Sequence, residues 1–179
     1  MMKIGILIGS LSQKSYSRKI AQFIVNSFPN IAFMELNYRQ LSLYDPDLEV
    51  TNCPINWQAF RLAIRKFNAL LFVTPEYNYS IPGGLKNALD ILSGADTEDL
   101  LIDKPTMIIT DSSGNRGGLI ANLQLQQVLR MLGMRVFNNE VTLSKVQELF
   151  NDQDELIDQS SRDFLIANVT EFYDFIKHT

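Results

Sequence analysis

The feature that most restricts the fold of this chain is its alternation of short apolar runs with longer stretches of helical period. In the first run Ile4, Ile6, Leu7 and Ile8 follow one another almost without a polar break, which reads as a strand buried on both faces. Similar runs predict strands over 31–36, 69–74, 106–110 and 135–141. Between them, apolar residues spaced near 3.6 predict helices over 17–28, where Ile20, Phe23, Ile24 and Phe28 share a side, and over 55–67, 84–92, 119–132 and 154–177. Strict alternation of strand and helix implies parallel pairing through right-handed crossovers, and five such strands most often take the order 2-1-3-4-5.

The expectation is therefore one α/β domain over residues 1–179, a flavodoxin-like three-layer sandwich with helices on both faces of a five-stranded parallel sheet. At 179 residues, burial of roughly 70% of the unfolded surface supports a continuous core without disulfide or metal staples. Residues 37–54, with Asp45-Pro46, Asp47 and Pro54 and little periodicity, read as a long loop that lines a pocket or an interface. A formal charge of -4 argues against nucleic acid or an anionic membrane as partner, since both select clustered Lys and Arg. Cys53 is the single cysteine, so no internal disulfide forms. The first residues lead straight into an apolar run without a signal-peptide pattern, and a cytoplasmic protein is expected. No apolar run approaches the roughly 20 residues needed to span a bilayer.

Two loops carry the chemistry. After the first strand come Gly9, Ser10, Leu11, Ser12, Gln13, Lys14, Ser15, Tyr16, Ser17 and Arg18. Hydroxyls at Ser10, Ser12, Ser15 and Ser17, set where a buried strand turns into a helix, suit a phosphate, and the unpaired amides of the helix start point the same way. Equally, Ser15 or Ser17 is a plain N-cap and the others fill the loop. The segment is neither a P-loop nor a Gly-x-Gly-x-x-Gly turn, so a monophosphate fits better than a triphosphate.

After the third strand the run is Thr74-Pro75-Glu76-Tyr77-Asn78-Tyr79-Ser80-Ile81-Pro82-Gly83-Gly84-Leu85-Lys86-Asn87. Two tyrosines beside stiffening prolines, with amide and hydroxyl groups between, suit a planar heterocycle that is stacked and hydrogen-bonded at its edge. In a 2-1-3-4-5 sheet this loop lies beside the first, at the switch point where open α/β sheets place ligands. A rigid lead into a helix beginning at Pro82 explains the prolines and glycines but not the density of polar and aromatic groups.

Gly9-Ser10-Leu11 with Ser15, followed by the motif from Pro75 through Lys86-Asn87-Ala88-Leu89-Asp90, resembles the NADPH-dependent FMN reductase family, which includes chromate, quinone and azo-dye reductases. Ser112-Ser113-Gly114 and Gly117-Gly118, ahead of a glutamine-rich helix, look like that family's third flavin loop. The resemblance implies FMN as cofactor and NADPH or NADH as co-substrate. Ser10, Ser12, Ser15 and Ser17 would contact the phosphate, and Pro75, Glu76, Tyr77 and Asn78 would pack on the isoalloxazine. Ser112, Ser113 and Gly114 would reach its pyrimidine edge. Three departures stand out: Ser12 replaces a usual Arg, Ser17 a common Asn, and Ile91 a common Trp. The same resemblance implies a homodimer or homotetramer, with apolar material for contacts expected near Trp57.

Flavin carries the chemistry, so no catalytic acid or base of the protein is required. The single histidine, His178, is next to last, which disfavours histidine triads and histidine-bound metal. Cys53 reads as a small packed residue. Arg116, between glycine-bearing stretches, is a candidate contact for the phosphate of NAD(P)H. Asp152, Asp154, Glu155 and Asp158 lack the spacing of a calcium loop and read as the acidic start of the last helix. Two functions remain: a reductase that passes electrons to a small-molecule acceptor, and a non-enzymatic electron carrier or redox-sensing interaction protein. A carrier usually shows a dense acidic face, whereas Glu76 is the lone acid of the second loop and Lys14, Arg18 and Lys86 flank it.

Overall fold

The computed structural model describes residues 1–94 and 100–178. In chain order its elements are β1 (Lys3–Ile8), α1 (Tyr16–Ser27), β2 (Ala32–Glu35), α2 (Pro46–Thr51), α3 (Ile55–Ile64), β3 (Ala69–Pro75), α4 (Gly83–Leu92), β4 (Pro105–Asp111), α5 (Leu119–Met131), β5 (Arg135–Val136), β6 (Val141–Leu143) and α6 (Gln159–Lys177). The strands pair in parallel in the order β2-β1-β3-β4-β5, and β6 pairs with β4 as well.

Successive side chains of a strand point to opposite faces, so an unbroken apolar run feeds two cores at once. Ile4, Ile6 and Ile8 of β1 pack with Ile20 and Ile24 of α1 and with Leu165, Val169 and Phe172 of α6. Leu7 packs on the other side with Trp57 and Ile64 of α3, Leu85 and Leu89 of α4, and Leu125 of α5. Each fully buried Leu, Ile or Phe contributes about 1.5–3 kcal/mol, which makes these layers the main stabilising feature. The sheet then holds the carboxyl ends of β1, β3 and β4 side by side: Ile8 is in register with Val73, and Pro75 with Asp111.

Three sequence expectations change. The predicted strand over 135–141 is two short strands on β4, β5 beside Pro105 and Thr106 and β6 beside Ile109 to Asp111. Polar residues interrupt it: Asn139 turns out of the sheet and donates to Asn168 and Glu171 of α6, both at 2.9 Å. The last helix begins at Gln159, not 154. Asn151 Oδ1 accepts from the amides of Gln153 and Glu155, Asp154 is left-handed at φ 65°, and Phe150 bridges Leu156, so the acidic segment is a closed turn. Only Asp158 caps the helix, accepting from the Ser161 amide at 2.7 Å, and these hydrogen bonds hold its carboxyl below the usual range. The stretch 37–54 contains α2, started by Asp45 as N-cap with Pro46 in the first turn. Trp57 lies fully buried and stacks with Tyr44 at 5.5 Å, so it offers nothing to a partner surface. Among residues 43–62, Leu43, Val50, Ile55 and Leu62 are the large apolar side chains left exposed.

Candidate functional site

Three loops meet at the carboxyl ends of β1, β3 and β4. The first leaves β1 at Gly9, whose amide donates to Val73 O at 2.8 Å. A Cβ at Gly9 would stand 1.9 Å from Thr74 Oγ1, so this close approach of β1 to β3 admits glycine alone. The four serines that follow have separate fates. Ser10 is buried, shares a hydrogen bond with the Tyr77 hydroxyl at 3.0 Å and accepts from the Ser12 amide. Ser12 is exposed and accepts from the Lys14 amide. Ser15 caps α1, accepting from the Arg18 amide at 3.3 Å. Ser17 is fully buried, and its hydroxyl donates to Asp111 Oδ2 at 2.5 Å, away from the loop.

The Ser10, Ser12 and Ser15 hydroxyls thus accept amides and keep O–H groups that can donate, and among the described residues no backbone acceptor takes up the first-turn amides of Tyr16 and Ser17. Arg18 is occupied by a paired contact to Glu35 at 2.6 and 2.9 Å, and these hydrogen bonds raise its pKa further. Lys86 pairs with Asp90. Lys14 makes no ion pair among the described residues. Arg39 reaches in from after β2 and donates to the carbonyl of Leu11, placing a guanidinium beside Ser12.

The second loop is a two-residue hairpin turn. Tyr77 and Ser80 exchange backbone hydrogen bonds at 2.9 and 3.0 Å, with Asn78 at φ 51° and Tyr79 at φ 58° between them. Two consecutive left-handed residues make a type I′ turn, which tolerates Asn but costs about 1–2 kcal/mol at a tyrosine. The turn is anchored to α5. Glu76 Oε2 accepts from the Ala121 amide at 3.1 Å, Ser80 Oγ donates to Gln124 Oε1 at 2.7 Å, and Gln124 Nε2 donates to Tyr79 O. Gly118, the N-cap of α5, has no side chain, and Glu76 supplies the missing acceptor from another loop. Tyr77 and Tyr79 are left 49% and 68% exposed, rings without an aromatic neighbour among the described residues.

The third loop leaves β4 at Asp111. Ser112 donates its amide to Leu143 O, accepts the Gly114 amide on its hydroxyl at 3.2 Å, and accepts the Val146 amide on its carbonyl. Ser113, Gly114, Asn115 and Arg116 are exposed, and Arg116 makes no ion pair among the described residues. Gly117 and Gly118 have φ of 58° and 80° and lie against β6 and Thr110, which bends the chain back into α5. Cross-links knit the loops: Ser10 to Tyr77, the Glu76 amide to Asp111 O at 3.2 Å, and Ser17 to Asp111.

Asp111, Gln124 and Arg39 were not singled out from the sequence. Asp111 directly follows the apolar run 106–110, where an acidic residue reads as the first loop position, yet it is 3% exposed and burial pushes its carboxyl up to about 6 against the opposing Ser17 hydrogen bond. Ile91 is fully buried, and its carbonyl accepts from Arg61 Nε. Cys53 packs on the same core and accepts from Arg61 at 3.4 Å.

A family profile described as NADPH-dependent FMN reductase matches residues 2–148. A quinone reductase of Pseudomonas putida is 38% identical over 176 residues, 97% of this chain and 94% of its own length. A quinone reductase of Escherichia coli is 36% identical over 98% of this chain and 96% of its own length. Among solved structures, the flavoenzyme NAD(P)H:(acceptor) oxidoreductase of Paracoccus denitrificans superposes with a TM-score of 0.88 at 26% identity, covering 99% of this chain and 98% of that one.

Proposed function

The chain belongs to the NADPH-dependent FMN reductase family, and on that premise we propose that it passes electrons from NADPH or NADH through bound FMN to small acceptors, quinones first, with free flavin, azo compounds and metal oxyanions as further acceptors. The observation that carries this reading is the cross-linked set of three strand-end loops, which combines free first-turn amides with an exposed Tyr77 ring. The donor set fits the cofactor: amides and hydroxyls for a phosphate, an aromatic turn for a flat ring, and an exposed serine-glycine loop for a polar edge. Bound FMN supplies hydride acceptance from nicotinamide and electron delivery to the acceptor.

In this reading Ser10, Ser12 and the amides of Tyr16 and Ser17 hold the phosphate, while Ser15 acts by capping α1. Arg39 supplies from outside the loop the guanidinium absent at Ser12. Pro75, Glu76, Tyr77 and Asn78 form the wall behind the isoalloxazine, with the Glu76 carboxylate fixing that wall to α5. Ser112, Ser113 and Gly114 meet the pyrimidine edge, and Arg116 meets the phosphate of NADPH. The whole of 1–179 acts as one FMN-binding domain, in the cytoplasm, as a homodimer or homotetramer, with no nucleic acid or membrane partner. Exposed Leu43, Val50 and Ile55 support self-association, and no described helix is long and apolar enough to cross a membrane.

The test has two arms. FMN titrated into cofactor-free protein should lose fluorescence saturably, and mixing the loaded protein with NADPH or NADH should bleach the flavin absorbance, followed by steady turnover with a small quinone. Bleaching without turnover would favour the electron carrier, and no bleaching by either nucleotide would reject the reductase.

A further inference from the structure

We propose that Asp111 is a proton-binding site coupled to cofactor occupancy, its carboxyl holding a solvent proton more tightly when the adjoining first turn of α1 receives the FMN phosphate. The inference rests on the FMN reading of these loops. Asp111 ends β4 at the point where all three loops converge: its Oδ2 accepts from Ser17 Oγ at 2.5 Å, its carbonyl accepts from the Glu76 amide, and it is in register with Pro75 on one side and Leu143 on the other. Ser17 is the second residue of α1, so the carboxyl sits one side chain away from the free amides of Tyr16 and Ser17. An anion held by those amides and a carboxylate beneath them occupy the same turn.

Among the described residues no ion pair offsets the carboxylate. On α1, Arg18 is held by Glu35 and Lys19 by Asp154. The loop after β3 brings Glu76, whose carboxylate serves α5, and Tyr77, whose hydroxyl serves Ser10. Beyond β6 stands Lys145, and in the loop after β4 Arg116, both exposed. The helices packed on β4 carry Arg130 on α5 and Arg162, Asp163, Glu171 and the Asp174–Lys177 pair on α6, all exposed. The influences on Asp111 are accordingly burial, which favours the neutral acid, and the Ser17 hydrogen bond, which opposes it.

A buried carboxylate facing an incoming dianion is penalised twice, by desolvation and by like charge, and protonation removes both penalties. Coupling between two sites is reciprocal, so phosphate binding raises the proton affinity of Asp111 and protonation tightens phosphate binding by the same factor. No electrons move in this step; solvent protons are the one species exchanged, and a coupling of about one pKa unit makes the uptake at most about half a proton per cofactor, midway between the free and bound pKa values.

The experiment is a set of FMN dissociation constants from fluorescence quenching between pH 5 and 8.5 for the native chain, Asp111→Asn and Ser17→Ala. The phosphate has its own ionisation near pH 6, roughly as for other phosphate monoesters, but it is common to all three proteins, so the inference is read from differences. The native chain should weaken about tenfold more than Asp111→Asn from the acid to the alkaline end, equivalent to roughly one pKa unit of coupling. Ser17→Ala, which removes the hydrogen bond favouring the ionised form, should move the inflection to higher pH. Riboflavin, lacking the phosphate, should show a much smaller difference between native chain and Asp111→Asn. Parallel profiles for those two proteins with FMN overturn the coupling while leaving the FMN reading intact. Should Asp111→Asn fail to fold by circular dichroism, an unmoved inflection in Ser17→Ala overturns it instead. Absence of saturable quenching by the native chain at every pH sinks the FMN reading, and the coupling with it.

Discussion

The loop after β1 and the loop after β3 are both short and polar, and both lead from a buried strand into a helix, yet they are held in opposite ways. In the first, the hydroxyl oxygens bond locally, Ser12 accepting from the Lys14 amide and Ser15 from the Arg18 amide while Ser17 donates to Asp111, and the donors left are O–H groups such as that of Ser12 and backbone amides at a helix start. In the second, the backbone closes on itself through the Tyr77 and Ser80 exchange and is tied to α5 at three points, leaving two tyrosine rings outside. An anion needs donors at a fixed end of a helix and tolerates a soft surround, whereas a flat ring needs a rigid wall. Under the proposed FMN reading, the two loops would divide those tasks.

The comparison breaks first at its glycines. Gly9→Ala sets a methyl against Thr74 Oγ1 and within 2.9 Å of the Thr74 backbone, so it should cost about 3 kcal/mol or more in urea unfolding and prevent normal docking of the first loop. Next comes the shared floor. Asp111 binds its proton more tightly folded, at about 6, than at the ordinary 3.8. Its contribution to stability is therefore present below about pH 4 and lost as pH rises through 6. Asp111→Asn should accordingly be more stable than the native chain by about 2 kcal/mol at pH 7.5, with the margin vanishing near pH 4; the pKa displacement sets an upper bound of roughly 3 kcal/mol. Equal stability of the two proteins at pH 7.5 would show that water or relaxation already screens the charge.

Glu76→Ala removes a helix-capping acceptor and one tie of the second loop, and should cost about 1 kcal/mol in thermal or urea unfolding. If the wall needs that tie, FMN affinity falls as well, whereas Ser15→Ala, which uncaps α1 at a similar cost, should leave the tyrosine turn undisturbed as read by Tyr77 and Tyr79 proton shifts. The smallest effect has the opposite sign. Gly83, at the start of α4 beyond the second loop, meets nothing within 4 Å, so Gly83→Ala should stabilise by about 0.5 kcal/mol through the entropy of the unfolded chain.

The apolar runs and their helical spacers were enough to read the strand order, because a strand buried on both faces and a one-sided helix leave periods that are local in the chain. Loop positions were legible for the same reason: Ser10 to Ser17, Pro75 to Asn78 and Ser112 to Gly114 each follow a strand. The run 135–141 has the pattern of one strand but forms two, because Asn139 satisfies its side-chain amide on α6, 29 and 32 residues away. The acidic segment before α6 has the composition of a helix start, but Asn151 side-chain bonds hold it as a turn.

What the sequence by itself determined is the order of layers and which loops share one end of the sheet. Only the tertiary structure decided which polar groups remain free there. Ser17 and Asp111 stand 94 residues apart, Ser10 and Tyr77 67, and Glu76 and Ala121 45. Periodicity reports how one segment meets the core, but a hydroxyl's partner depends on which strands the sheet has set side by side, and a hydroxyl that has given its proton across the sheet, as Ser17 has to Asp111, no longer has it to donate to a ligand.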